Sequence, residues 1–67
     1  MLTEKEAIAK IIEDVSDSLT KNRILERYWN RLYSSGEKKY KVQLGNVQTQ
    51  IKEQESYLAF LDEIAKE

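Results

Sequence analysis

The chain has 67 residues with a net charge of −1, and this length allows only one small domain, so we treat 1–67 as a single helical domain. Cysteine and histidine are both absent, which excludes disulfides and the metal sites that are built on thiolates or imidazoles. No stretch approaches the roughly 20 apolar residues of a membrane span. The sequence starts with acidic and polar residues rather than a signal peptide, so we expect a cytoplasmic protein.

The first predicted element is a helix over about 4–33. Thr3 and Glu6 have the spacing of a capping box, which satisfies free backbone amides at a helix N-terminus. From Ile8 to Leu32, apolar residues then recur every three or four positions, as they do on one face of a helix. Residues 16–20 are rich in side chains that cap or turn, so a kink or a fresh helix start there is an open alternative.

The tripeptide Ser-Ser-Gly at 34–36 predicts a turn, because glycine readily adopts the left-handed conformation that commonly ends a helix. A second helix is predicted over about 37–65, with the same spacing of apolar residues. A heptad assignment gives one antiparallel register for both helices, with Trp29 opposite Tyr40. The predicted fold is therefore all-α, an antiparallel two-helix hairpin.

The middle of the predicted helix–helix contact is polar. In this register Leu25 faces Leu44, but Ser18, Asn22 and Gln54 also occupy inward positions. Such residues either fix the register of two helices, as buried asparagines do in coiled coils, or mark loose packing. The sequence leaves both interpretations open.

Residues 40–51 also allow an α+β alternative with a β-hairpin. Apolar or β-branched residues alternate on both sides of Gly45-Asn46, which is a common turn dipeptide. A glycine inside a helix is also less favourable than alanine by ~1 kcal/mol. The helical spacing extends further along the chain than this alternation, so helix is the favoured interpretation.

Charge is segregated along the chain. Two lysines and five acids give residues 1–19 a net charge of −3, and the same counts apply to 46–67. Seven bases and two acids give residues 20–45 a net charge of +5. A hairpin would bring both acidic arms to one end and the basic segment to the other. Basic and aromatic residues are typical of binding hot spots, so we predict a partner-binding surface at the basic end, formed by Arg27, Tyr28, Arg31, Lys38, Lys39 and Lys41.

More apolar residues are present than a lone hairpin is expected to cover. Exposed apolar patches normally mark an interface, and two hairpins related by a two-fold axis form a four-helix bundle. We therefore predict a homodimer whose interface comprises Ile12, Leu19, Tyr57, Phe60 and Ile64.

These features predict a small non-enzymatic protein–protein interaction module, which would be an adaptor, regulator or inhibitor of a larger protein. No histidine base and no glycine-rich phosphate loop is present, so we expect no catalysis, no cofactor, no metal and no small-molecule substrate. The alternative is a small nucleic-acid-binding regulator that uses the basic aromatic segment 20–41. The net charge of −1 disfavours it, because nucleic-acid-binding domains are usually strongly basic.

Overall fold

The computed structural model describes all residues, Met1–Glu67, as two long α-helices joined by a short turn. Helix α1 spans Glu4–Ser34 and helix α2 spans Lys41–Ala65, with a single 3₁₀ turn at Lys38–Tyr40 between them. The two helices pack against each other as a hairpin and form a rod of 49 × 18 × 13 Å. No strand is present, so the predicted all-α hairpin is confirmed. Association of two hairpins into a bundle stays a prediction.

Helix α1 begins at the predicted capping box. The Glu6 backbone amide donates to the Thr3 hydroxyl oxygen at 3.1 Å, and the Thr3 amide lies 3.4 Å from the Glu6 carboxylate that accepts from it. The helix then continues without a break through residues 16–20. There the Thr20 hydroxyl donates to the Ser16 carbonyl at 3.0 Å, so it bonds within the helix instead of capping a new one. The alternative of a fresh helix start in this segment is wrong.

The turn follows the prediction, but the second helix begins later than predicted. Gly36 has a φ of 101°, and its amide donates to the Tyr33 carbonyl at 3.2 Å. The Glu37 amide donates to the Leu32 carbonyl at 3.3 Å, which completes a Schellman motif. Glu37 itself has a non-helical ψ of 72° and no side chain caps the next element, so the chain passes through a 3₁₀ turn before α2 starts at Lys41.

The β-hairpin alternative for residues 40–51 is wrong. Leu44, Val47 and Ile51 are all buried against α1. Residues 41–51 all belong to α2, and no strand is present. In this helix the three side chains lie on one side because they are three and four residues apart. The Thr49 hydroxyl also donates to the Gly45 carbonyl at 2.9 Å, a contact between residues one helical turn apart.

The core is small and is a single row of aliphatic side chains between the helices. Its buried members are Leu19, Leu44, Val47, Ile51 and Leu61. Leu19 was predicted to lie in a dimer interface, but only 6% of it is exposed, so that prediction is wrong. Conversely, Leu25 was predicted to face α2 and is 40% exposed, while Ser18 is fully on the surface. The face of α1 that packs against α2 is thus rotated by about one residue position from the predicted face, so Leu19 is buried in place of Ser18.

Polar side chains meet in the middle of the hairpin. The Asn22 side-chain amide donates to the carbonyl oxygens of Gln54 at 3.0 Å and Gln50 at 3.3 Å. Asn22 and Gln54 were both predicted to be inward residues, and both are half-buried. The predicted register did not pair them. The predicted register would instead place Val47 opposite Asn22, so the two helices are offset from that register here. No buried side-chain polar atom is left without a hydrogen-bond partner.

Candidate interaction surfaces

The two long sides of the rod differ in chemistry. On the side that we call the polar side, Arg23 of α1 pairs with Glu55 of α2 at 3.5 Å. A shallow groove on this side is lined by charged and polar residues of both helices, including Glu26 and Lys52. Both ion-pair partners are about half exposed, so the pair contributes little to stability but shows that charges cover this side.

The opposite side, which we call the apolar side, carries four large apolar side chains. Leu25 lines the groove between the helices there, together with Asn22 and Gln50. Residues seven apart in α2 lie on the same side, so Tyr57 follows Gln50 and Phe60 lies one turn further on. Tyr28 lies one turn after Leu25 in α1. The exposed fractions are 40% for Leu25, 55% for Tyr28, 44% for Tyr57 and 53% for Phe60.

The predicted dimer-interface residues therefore have different environments. Tyr57 and Phe60 are exposed on the apolar side, whereas Leu19 is in the core. Ile12 precedes Leu19 by seven residues and is half-buried on the same inward face; Ile64 is also half-buried. Leu25 was not predicted to lie on this exposed side, because the heptad assignment places it in the core.

The predicted basic surface is brought together at the turn end of the rod. Its members lie on the last turns of α1, in the 3₁₀ turn and at the first residue of α2, and all six are exposed: Arg27, Tyr28, Arg31, Lys38, Lys39 and Lys41. None of the five cations forms an ion pair, since the chain's two ion pairs are Arg23–Glu55 and Asp62–Lys66. The positive charge of this end is therefore free to attract an acidic partner.

Aromatic rings hold this end in shape. The ring centroids of Trp29 and Tyr40 are 5.2 Å apart, which confirms the predicted pairing of these residues across the turn. The ring of Tyr28 is tilted against Trp29 at 5.1 Å, and the Lys39 ammonium lies 5.2 Å from the Tyr40 centroid. Trp29 and Tyr40 are half-buried and close the end of the core, whereas Tyr28 presents its ring to solvent.

No cluster of three or more acidic side chains is close enough to hold a metal ion. Neither helix contains an apolar stretch of the length that crossing a membrane requires. No protein-family model matches the chain, and no curated protein or solved structure is similar enough to it to count as a relative.

Proposed function

We propose that the chain is a small non-enzymatic protein–protein interaction module, which acts in the cytoplasm as an adaptor, regulator or inhibitor of a larger protein. The observation that supports this is the turn end, which carries five unpaired cations together with the exposed ring of Tyr28. Arginine and tyrosine are enriched among the residues that dominate binding energy at protein interfaces. The partner surface that fits this end is acidic and has an apolar pocket for the tyrosine ring.

The turn end is also held in one backbone conformation before any partner arrives. The Schellman bonds at Gly36 fix the end of α1, and the contact between Trp29 and Tyr40 fixes the start of α2 against it. A preorganised surface loses less conformational entropy on binding than a flexible one. This rigidity supports a docking role for the turn end.

The proposal is tested by affinity capture from an extract of the native host with two charge-reversed variants. Arg27→Glu/Arg31→Glu reverses two exposed charges at the turn end, and Lys5→Glu/Lys10→Glu reverses two exposed charges at the other end of α1. We expect a captured protein that binds the wild type and the lysine variant, and whose affinity falls at least tenfold for the arginine variant. Circular dichroism of both variants checks that the helices persist. Equal capture by all three chains, or no specific capture, would contradict the proposal.

Nucleic acid is a second candidate partner, because residues 20–45 with their net charge of +5 lie together at one end of the rod. Phosphate contacts are strongest at low salt, so a gel shift with DNA and RNA at ~50 mM salt is the sensitive test. A shift that is lost with Arg27→Glu/Arg31→Glu would favour nucleic acid over an acidic protein. No shift at this salt concentration would eliminate the candidate.

A further inference from the structure

The hairpin exposes more surface than a folded chain of its mass normally does. Its accessible area is 5486 Å², whereas a compact 7.9 kDa monomer is expected to expose about 4,400 Å². The radius of gyration is 15.4 Å, against about 11 Å for a compact domain of this length. The excess of about 1,100 Å² is comparable to the roughly 800 Å² that each partner buries in a standard protein interface. Part of the surface of the rod is therefore suited to burial against a partner.

The apolar side is the part that a partner would cover. Leu25 and Tyr28 lie in the half of the rod near the turn, and Tyr57 and Phe60 lie in the half near the chain termini. Ser18 of α1 lies between these two patches, near the middle of the rod. The apolar side thus has one apolar patch on each side of a polar centre. When the rod is turned end to end, the two patches exchange places and the pattern is the same.

The charge distribution distinguishes the two possible orientations of a second copy. Residues 20–45 give the turn end a net charge of +5, and the two arms that meet at the other end carry −3 each. The rod is 49 Å long, and exposed charges are screened over about 8 Å at physiological salt, so each end interacts only with what lies beside it. A parallel dimer places like charges side by side at both ends. An antiparallel dimer places the basic end of each copy beside the acidic end of the other.

We propose that the apolar side binds a second copy of this chain in the antiparallel orientation, with the two-fold axis passing near Ser18. The patch of Leu25 and Tyr28 then lies over the terminal half of the second copy, which carries its Tyr57 and Phe60. The inference rests on the proposed function, since both treat the chain as an interaction module. The apolar side and the turn end share only Tyr28, whose ring one partner at a time can cover. Arg27 and Arg31 lie on the outer side of α1 and stay exposed in this dimer.

The apolar side is tested by glutamate substitutions and a measurement of mass. We expect the wild type to sediment at twice the 7.9 kDa chain mass. Leu25→Glu and Phe60→Glu should raise the dissociation constant by about 100-fold or more, because each places a charge in the buried contact. Val42→Glu and Thr49→Glu are matched controls, since both residues are exposed and Thr49 lines the groove on the polar side, seven residues after Val42. Circular dichroism confirms the helices of all four variants. A monomeric wild type at high micromolar concentration, or equal weakening by the controls, would overturn the inference.

The orientation is tested with single cysteines, because the native chain has none. In the antiparallel dimer Ser18→Cys lies beside its symmetry copy, so a short thiol-reactive crosslinker should join the two chains. Ser34→Cys at the turn end should not crosslink, because the two turn ends are then separated by about the 49 Å length of the rod. Ser56→Cys, on the outer side of α2, reports random collisions. Crosslinking of Ser34→Cys above the background of Ser56→Cys, with or without crosslinking of Ser18→Cys, would show a parallel dimer and overturn the inference.

The capture and mass experiments also separate the two proposals. A monomeric wild type that captures a larger protein through Arg27 and Arg31 would overturn the dimer and leave the proposed function standing. An antiparallel dimer that captures no larger protein through these residues would support the inference and contradict the docking role of the turn end.

Discussion

The two glycines of the chain should respond to alanine in opposite directions. Gly45 lies within α2, and a Cβ built on it has no atom within 4 Å, so a methyl group there meets open space. Gly36 has no nearby atoms either, but its φ of 101° is a conformation that alanine rarely adopts. The substitution Gly45→Ala therefore changes only helix propensity, while Gly36→Ala adds backbone strain at the turn.

The expected effects follow from these local conformations. Gly45→Ala should raise the free energy of unfolding by about 1 kcal/mol, which is the difference in helix propensity between the two residues. Gly36→Ala should lower it by about 1–2 kcal/mol, the penalty for a left-handed conformation in a residue with a Cβ. For a domain of this size, each 1 kcal/mol shifts the melting temperature by roughly 4–8 °C.

Thermal unfolding followed by far-ultraviolet circular dichroism measures both shifts, at one protein concentration for all variants, because association would also change the midpoint. Ala59→Gly is the matched control, since Ala59 is an exposed residue of α2, two heptads after Gly45. It should lose about as much stability as Gly45→Ala gains. A destabilising Gly45→Ala would refute the helical assignment of this segment, and a neutral Gly36→Ala would refute the glycine-dependent turn.

Three further changes test the contacts along the rod. Thr3→Ala removes the capping hydroxyl and should lower the unfolding free energy by about 1 kcal/mol, with faster amide exchange confined to the first turn of α1; uniform protection along α1 would contradict this. Asn22→Leu should raise the unfolding free energy in urea by about 1 kcal/mol through apolar burial, but it should give additional amide resonances from alternative registers; a lower stability would show that the hydrogen bonds to Gln54 outweigh burial. For the half-exposed pair of Arg23 and Glu55, a double-mutant cycle should give a coupling free energy of about 0.5 kcal/mol or less, which should disappear in ~1 M salt. A larger, salt-resistant coupling would contradict the exposure of the pair.

The fold was more predictable from α2 than from α1. Over residues 41–56 of α2 no two apolar residues are adjacent, so they leave one choice of inward face, and Leu44, Val47, Ile51 and Leu61 are all buried as predicted. In α1, apolar residues occur next to each other, as in Ile24-Leu25, so the spacing alone does not decide which neighbour faces inward. The observed face gains Leu19 in place of Ser18 but takes Glu26 in place of Leu25, so the number of apolar residues did not distinguish the two faces either.

The candidate surfaces depended on the fold in different ways. The basic end could be predicted from the hairpin topology alone. The middle segment of the chain carries the positive charge, so this charge lies at the turn once the chain reverses near Gly36. Predicting the apolar side also required the rotation of α1 about its own axis, because a rotation by one residue position moves Leu25 from the core to the surface. A separate error, the offset of the two helices from the predicted register, hid the contacts of Asn22 with Gln50 and Gln54.

The rotation of α1 connects the stability of the hairpin to its surface. Facing Leu25 inward would have exposed Leu19 and buried Ser18, and full burial of a leucine is worth about 1.5–3 kcal/mol. Burying Leu19 instead exchanges one core leucine for another but keeps Ser18 at the surface, which matters in a chain with five buried residues. This arrangement leaves Leu25 at the edge of the core, next to Tyr28, where a second surface can cover both. In the proposed dimer the apolar residues of α1 thus divide between a contact within the chain and a contact with the second copy, because the helix has two apolar faces and one neighbour in the hairpin.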